Sequence, residues 1–158
     1  MNDNPFAALT AVVAPAILTN ASSVLCLGTG NRIARVVDRT RTIAADLSRL
    51  PADSAEHTTY IRHLELLTER AQLLLRALRL FYASLGAFAA TALIAIIGAT
   101  LAGSVTAPLY RGAAIAGLAS GGFAVVALVS GCTLMVAETR LAVQTLTEEV
   151  KLARRRSG

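Results

Sequence analysis

Three long stretches of this chain contain no charged side chain: Asn4 to Asn31, Leu80 to Tyr110, and Gly112 to Ala137. Each exceeds the roughly 20 residues that a helix needs to cross about 30 Å of hydrocarbon. A helix apolar on every side belongs in a membrane or a large core, and 158 residues cannot supply such a core for three of them. Cysteine is scarce as well. Cys26 and Cys132 both lie within charge-free stretches, with no further Cys, His or carboxylate at ligand spacing, which argues against a disulfide framework or a zinc site. His57 and His63 are six residues apart, on different faces of a helix, and complete no metal set. Aromatic residues make up 4% of the chain, and none falls between Arg32 and Arg49 or between Arg140 and Arg156. Without rings to stack on bases, the formal charge of +5 does not point to nucleic acid. Nucleophile elbow, phosphate loop and zinc motif are all missing, so the expectation is a protein that is not an enzyme and carries no cofactor or metal.

What is present is a membrane pattern. Neither an open sheet nor an irregular loop can satisfy its backbone in lipid, so each charge-free stretch is expected to cross as a helix. The predicted fold is all-α and integral to the membrane, with three transmembrane helices, long cytoplasmic helical extensions, and an oligomeric assembly. Met1 to Pro5 has no Lys or Arg and includes Asp3, unlike the start of a secretory signal, so the first stretch is read as a retained span. Of the fifteen basic residues, nine lie from Arg32 to Arg79 and five from Arg140 to Arg156. Basic residues mark the cytoplasmic end of a span, which predicts an external N-terminus and a cytoplasmic C-terminus in a bacterial inner membrane. The predicted parts are a first transmembrane helix (1–31), a cytoplasmic helical hairpin (32–79), a transmembrane hairpin (80–137), and a cytoplasmic C-terminal helix with a basic tail (138–158).

Within these parts the sequence gives local detail. Asn4 and Pro5 suit a helix start, and Pro15 predicts a bend near Ala11 to Pro15. Ile33, Val36, Val37, Ile43 and Leu47 carry an apolar stripe on from the first span, so that helix is expected to continue to about Leu50, before Pro51. Asp53 followed by Glu56 reads as a capping box. The three- and four-residue steps of Ile61, Leu64, Leu67, Ala71, Leu74 and Leu78 predict an amphipathic seam leading without interruption into the second span. That helix is expected to run from about Ser54 to Gly103, about 75 Å in length, with an external turn from Ser104 to Pro108. Ala113, Gly117, Ser120, Ala124, Ala127 and Gly131 form a small-residue face on the third span, suited to close packing, with Gly117 and Gly121 as a close-approach pair.

The densest polar signal runs from Asn31 to Arg41, where four arginines follow a span that already carries Asn20 and Ser23. Asn20 and Asn31, eleven residues apart, share a helix face. The candidate pore-lining residues are therefore Asn20, Ser23, Asn31, Arg32, Arg35 and Arg39. Asp38, Arg41, Glu138 and Arg140 are candidate members of structural ion pairs. Glu138 stands near the inner end of the third span, where ionisable groups are paired or functional, with Arg32, Arg35 or Arg140 as expected partners. Pro15, Leu18, the apolar run to Leu27, and then Asn31, Arg32, Arg35, Asp38, Arg39 and Arg41 resemble the bacterial membrane-protein family catalogued as domain of unknown function 2721. The hairpin and Glu138 are similar to that family too. The resemblance implies the topology and the importance of the arginine motif, and brings no activity with it.

The functional expectation is a homo-oligomeric inner-membrane ion channel or channel-like transporter, with the first helix lining the pore and an arginine-rich cytoplasmic mouth. Its expected partners are further copies of itself, the lipid bilayer and inorganic ions. The alternative, from a different class, is a non-conducting scaffold that binds a soluble partner through its cytoplasmic helices.

Overall fold

The computed structural model describes the backbone of residues 5–51, 53–101 and 107–156, and side chains within 12–143. Three helices account for nearly all of it: α1 (Pro5–Leu47), α2 (Ala55–Leu101) and α3 (Ala107–Arg156). The fold is all-α, and each helix is long and apolar enough to cross a membrane. The protein is a membrane protein in contact with lipid.

Helix limits follow local chemistry. The helix continues through Pro15, whose carbonyl accepts a hydrogen bond from the Thr19 hydroxyl at 2.8 Å. α1 stops at Leu47, three residues before the expected limit. Arg49 N–H bonds the Asp46 carbonyl and Leu50 N–H the Leu47 carbonyl, both at 3.1 Å, so the final carbonyls are satisfied by a tightened turn. The cap of α2 differs from expectation by one residue. Ser54, and not Asp53, accepts the His57 N–H at 3.1 Å, while its own hydroxyl donates to the Pro51 carbonyl at 2.9 Å. One side chain thereby closes the turn and caps the helix. α3 opens at Ala107 with Pro108 in its first turn, where the missing N–H costs no intrahelical bond. The remainder of the expected external turn, 104–106, lies outside the described residues.

The chain divides into two compact units, and all three helices contribute to both. The first comprises Met1–Leu27 and Arg79–Gly131, the second Gly28–Leu78 and Cys132–Gly158. In the first unit the small-residue face of α3 packs on α2 in antiparallel register. A Cβ added to Gly117 would lie 3.3 Å from Ile94, one on Gly121 would lie 3.6 Å from Thr91, and one on Gly131 would lie 2.5 Å from the Phe81 ring. Ser120 donates its hydroxyl to the Ala87 carbonyl at 2.9 Å, and Ala124 and Ala127 are buried. Ser22 and Ser84, both fully buried, share a hydrogen bond of 3.2 Å between α1 and α2.

The core of the second unit consists of Val36, Ile43, Leu67 and Leu74, with Ile33, Tyr60, Leu64, Ala71 and Met135 packed around it. This is the amphipathic seam of α2 closed against the apolar stripe of α1.

Candidate functional site

Within the second unit, α1 and α3 are paired at a constant offset. Thr29 donates to the Met135 sulfur at 3.6 Å and Arg32 to the Glu138 carboxylate, each across 106 residues of sequence. That parallel register places Glu138 beside the first arginine after the charge-free stretch of α1. The Glu138 side chain is 2% exposed. Arg32 Nη1 reaches its Oε2 at 3.3 Å. From α2, Arg70 donates Nε and Nη2 to Oε1 at 2.9 and 2.8 Å. One buried carboxylate thus ties all three helices together through two guanidiniums. A buried acid needs this, because desolvating an unpaired carboxylate costs several kcal/mol.

Arg32 Nη1 also lies 3.3 Å from the Thr139 hydroxyl, which donates in turn to the Met135 carbonyl at 2.9 Å. Among the described residues no buried side-chain nitrogen or oxygen lacks a partner. The triad borders an open groove of about 330 Å³ whose lining includes Arg32, Arg35, Arg39 and Arg70 together with the one carboxylate of Glu138. Arg35 and Arg39 are exposed, and neither forms an ion pair among the described residues.

The sequence-derived candidates therefore separate. Arg32 and Glu138 are brought together, Arg35 and Arg39 line the same groove, and Arg140 is exposed, two residues round the helix from Glu138. Asp38 and Arg41 are exposed and form no ion pair among the described residues. Asn20, Ser23 and Asn31 lie on the exposed side of α1, with no side-chain hydrogen bond among the described residues. Their neighbours Ser22 and Thr29 point inward.

Sequence reasoning missed Arg70. The signal for it was its position: it sits three residues after Leu67 and four before Leu74, on the buried seam of α2, where a cation needs an acid.

The family model described as "Protein of unknown function (DUF2721)" matches residues 12–148. The chain belongs to the DUF2721 family. That match takes in α1 from Val12 onward, all of α2, and the part of α3 that carries Glu138, so every member of the triad falls within the DUF2721 region. Compared with curated proteins and with solved structures, the chain matches none.

Proposed function

We propose that this DUF2721 protein is a homo-oligomeric channel or channel-like transporter of a bacterial inner membrane, neither an enzyme nor a nucleic-acid binder. Its N-terminus is external, its C-terminus is cytoplasmic, and copies of α1 face a shared ion path. The observation that carries this reading is the division of polar residues on α1. Ser22 and Thr29 are satisfied inside the protomer, whereas Asn20, Ser23 and Asn31 are exposed on the other side. Exposed to lipid, each would cost roughly 1 to 3 kcal/mol for an unmade hydrogen bond. A neighbouring copy or a water-filled path removes that cost.

Arg32 is held by Glu138, which leaves Arg35 and Arg39 to supply the positive field of the cytoplasmic mouth. The scaffold alternative is weaker, since Leu64, Leu67, Ala71 and Leu74, the seam that a soluble partner would use, are already packed against α1.

Reconstitution in planar bilayers tests the channel. Replacing Arg35 with Glu reverses one charge per subunit around the ring, and two unit charges about 8 Å apart interact by roughly 2 kcal/mol at an effective dielectric of 20. The reversal potential or conductance should shift while the assembly mass in mild detergent stays the same. A monomer in detergent, or a purified protein that conducts nothing, defeats the reading. Cysteine introduced at Ser104 should react with an impermeant reagent outside cells and cysteine at Ser157 should not; the opposite pattern inverts the topology.

A further inference from the structure

We infer that the arginine groove of the second unit is a binding site for a doubly charged phosphate group, of the kind presented by a phosphomonoester lipid headgroup. This does not rest on conduction, because the groove is complete within one protomer. Its lining brings four guanidiniums to one carboxylate, a surplus of three positive charges. The carboxylate is fully engaged: Oε1 accepts from Arg70 and Oε2 from Arg32, so Glu138 acts as a fixed brace behind two cations and does not compete for the others.

Arginine offers five N–H donors in a planar fork. Arg70 uses Nε and Nη2 on Glu138 and retains Nη1, Arg32 uses Nη1 and retains Nε and Nη2, and Arg35 and Arg39 keep their full sets. Arg32, Arg35 and Arg39 are spaced by three and four residues, so they stand above one another on one side of α1. Several forks converging on one space suit a tetrahedral oxyanion, which accepts from different directions at once, better than a flat carboxylate or a halide.

Two further features favour a headgroup as the source. The volume of about 330 Å³ is that of a small organic ligand, well beyond a bare ion, and Val36, Leu67 and Ala142 give the groove apolar walls. Arg32 and Glu138 also directly follow charge-free stretches that end at Asn31 and Ala137, which sets the site at the level where lipid phosphates lie.

The test uses full-length protein in a neutral detergent, titrated calorimetrically with short-chain phosphatidic acid, short-chain phosphatidylcholine and inorganic phosphate. Phosphatidic acid should bind saturably, one per protomer, and the double variant Arg35→Gln, Arg39→Gln should weaken it by about tenfold or more. Arg111→Gln, which removes an arginine outside the groove, should leave it unchanged. If the double Gln variant loses helix content by circular dichroism, Arg35→Lys with Arg39→Lys takes its place; it keeps the charge, loses the forks and should bind measurably less tightly than the parent. Phosphatidic acid binding without competition by inorganic phosphate identifies a lipid occupant, while effective competition identifies a soluble phosphate in the same site. The inference is overturned if neither probe saturates, if phosphatidylcholine binds as tightly as phosphatidic acid, or if the groove substitutions leave affinity untouched.

Discussion

The two units solve the packing problem in opposite ways. In the unit of Met1–Leu27 and Arg79–Gly131, large apolar side chains such as Ile17, Leu27, Leu93, Ile115, Leu118 and Phe123 point outward, Leu118 being 79% exposed. Much of its interior is small or hydroxylated: Ser22, Ser84, Ala124, Ala127 and Gly131, with Phe81 filling the space that Gly131 leaves and Phe88 buried in the same unit. In the unit of Gly28–Leu78 and Cys132–Gly158 the interior is branched aliphatic, and arginines and acids occupy much of the outside. Lipid tails are as apolar as leucine and give it no reason to turn inward, so helices there associate by close backbone approach and buried hydrogen bonds. In the proposed topology the second unit stands in water, where burying leucine is itself the drive. The same three helices thus obey two rules along their length: the buried serine pair follows the rule of its unit, and the glutamate buried in the aliphatic unit is an informative exception.

Breaking the glutamate exception should have the largest effect. Glu138→Ala leaves Arg70 and Arg32 facing each other without an anion, and removing one partner of a buried charge pair costs about 3 to 5 kcal/mol. The cost here should fall toward the lower end, because the Arg32 side chain is 44% exposed. Thermal unfolding in detergent measures it, and Arg70→Ala should be more damaging than Arg32→Ala, which loses only the two long contacts of Arg32, to Glu138 and Thr139, each 3.3 Å. Equal loss from both arginines would mean that burial does not rank the pair.

Leu74→Ala tests the aliphatic interior at a fully buried site and should cost about 2 to 5 kcal/mol. Leu118→Ala in the other unit, at an exposed position, should leave the melting temperature within a degree or two in a fluid detergent. If Leu118 proves as costly as Leu74, outward-facing leucines are covered by protein and the contrast between the units fails.

The glycine face gives a graded series. Gly131→Ala forces a methyl into the Phe81 ring, and overpacking of that kind costs about 1 to 3 kcal/mol. Gly117→Ala meets the Ile94 Cγ2 methyl at 3.3 Å, a milder approach than 2.5 Å to the Phe81 ring, and should cost less, and Gly122→Ala meets nothing within 4 Å and should be neutral. Unfolding midpoints that do not follow this order would show that close approach to α2 is not what holds α3.

The smallest effect is expected at the serine pair. Ser22→Ala removes one interhelical hydrogen bond, worth on average about 0.6 kcal/mol in membrane helices. A double-mutant cycle with Ser84→Ala should return a coupling of that size, and no coupling would assign both serines to packing alone.

The number, length and polarity of the helices were legible in the chain itself, because a charge-free run, its flanking arginines and a three-four apolar rhythm are local properties that need no partner to be read. The same was true of the small face of α3 and of Glu138 as an acid in need of a cation. Sequence offered Arg32, Arg35 and Arg140 without separating them and passed over Arg70, since no local pattern tells which turns of α1 and α2 come to face Glu138. Nor did it separate Ser22 and Thr29 from Asn20, Ser23 and Asn31, all polar residues within about three turns of one helix. Those choices depend on the rotation and register at which three helices meet. Register is set by the sum of many weak contacts, among them Phe81 on Gly131, Met135 beside Thr29, and Leu67 and Leu74 on Val36 and Ile43. No single residue carries that sum, so it became visible only when the helices were packed.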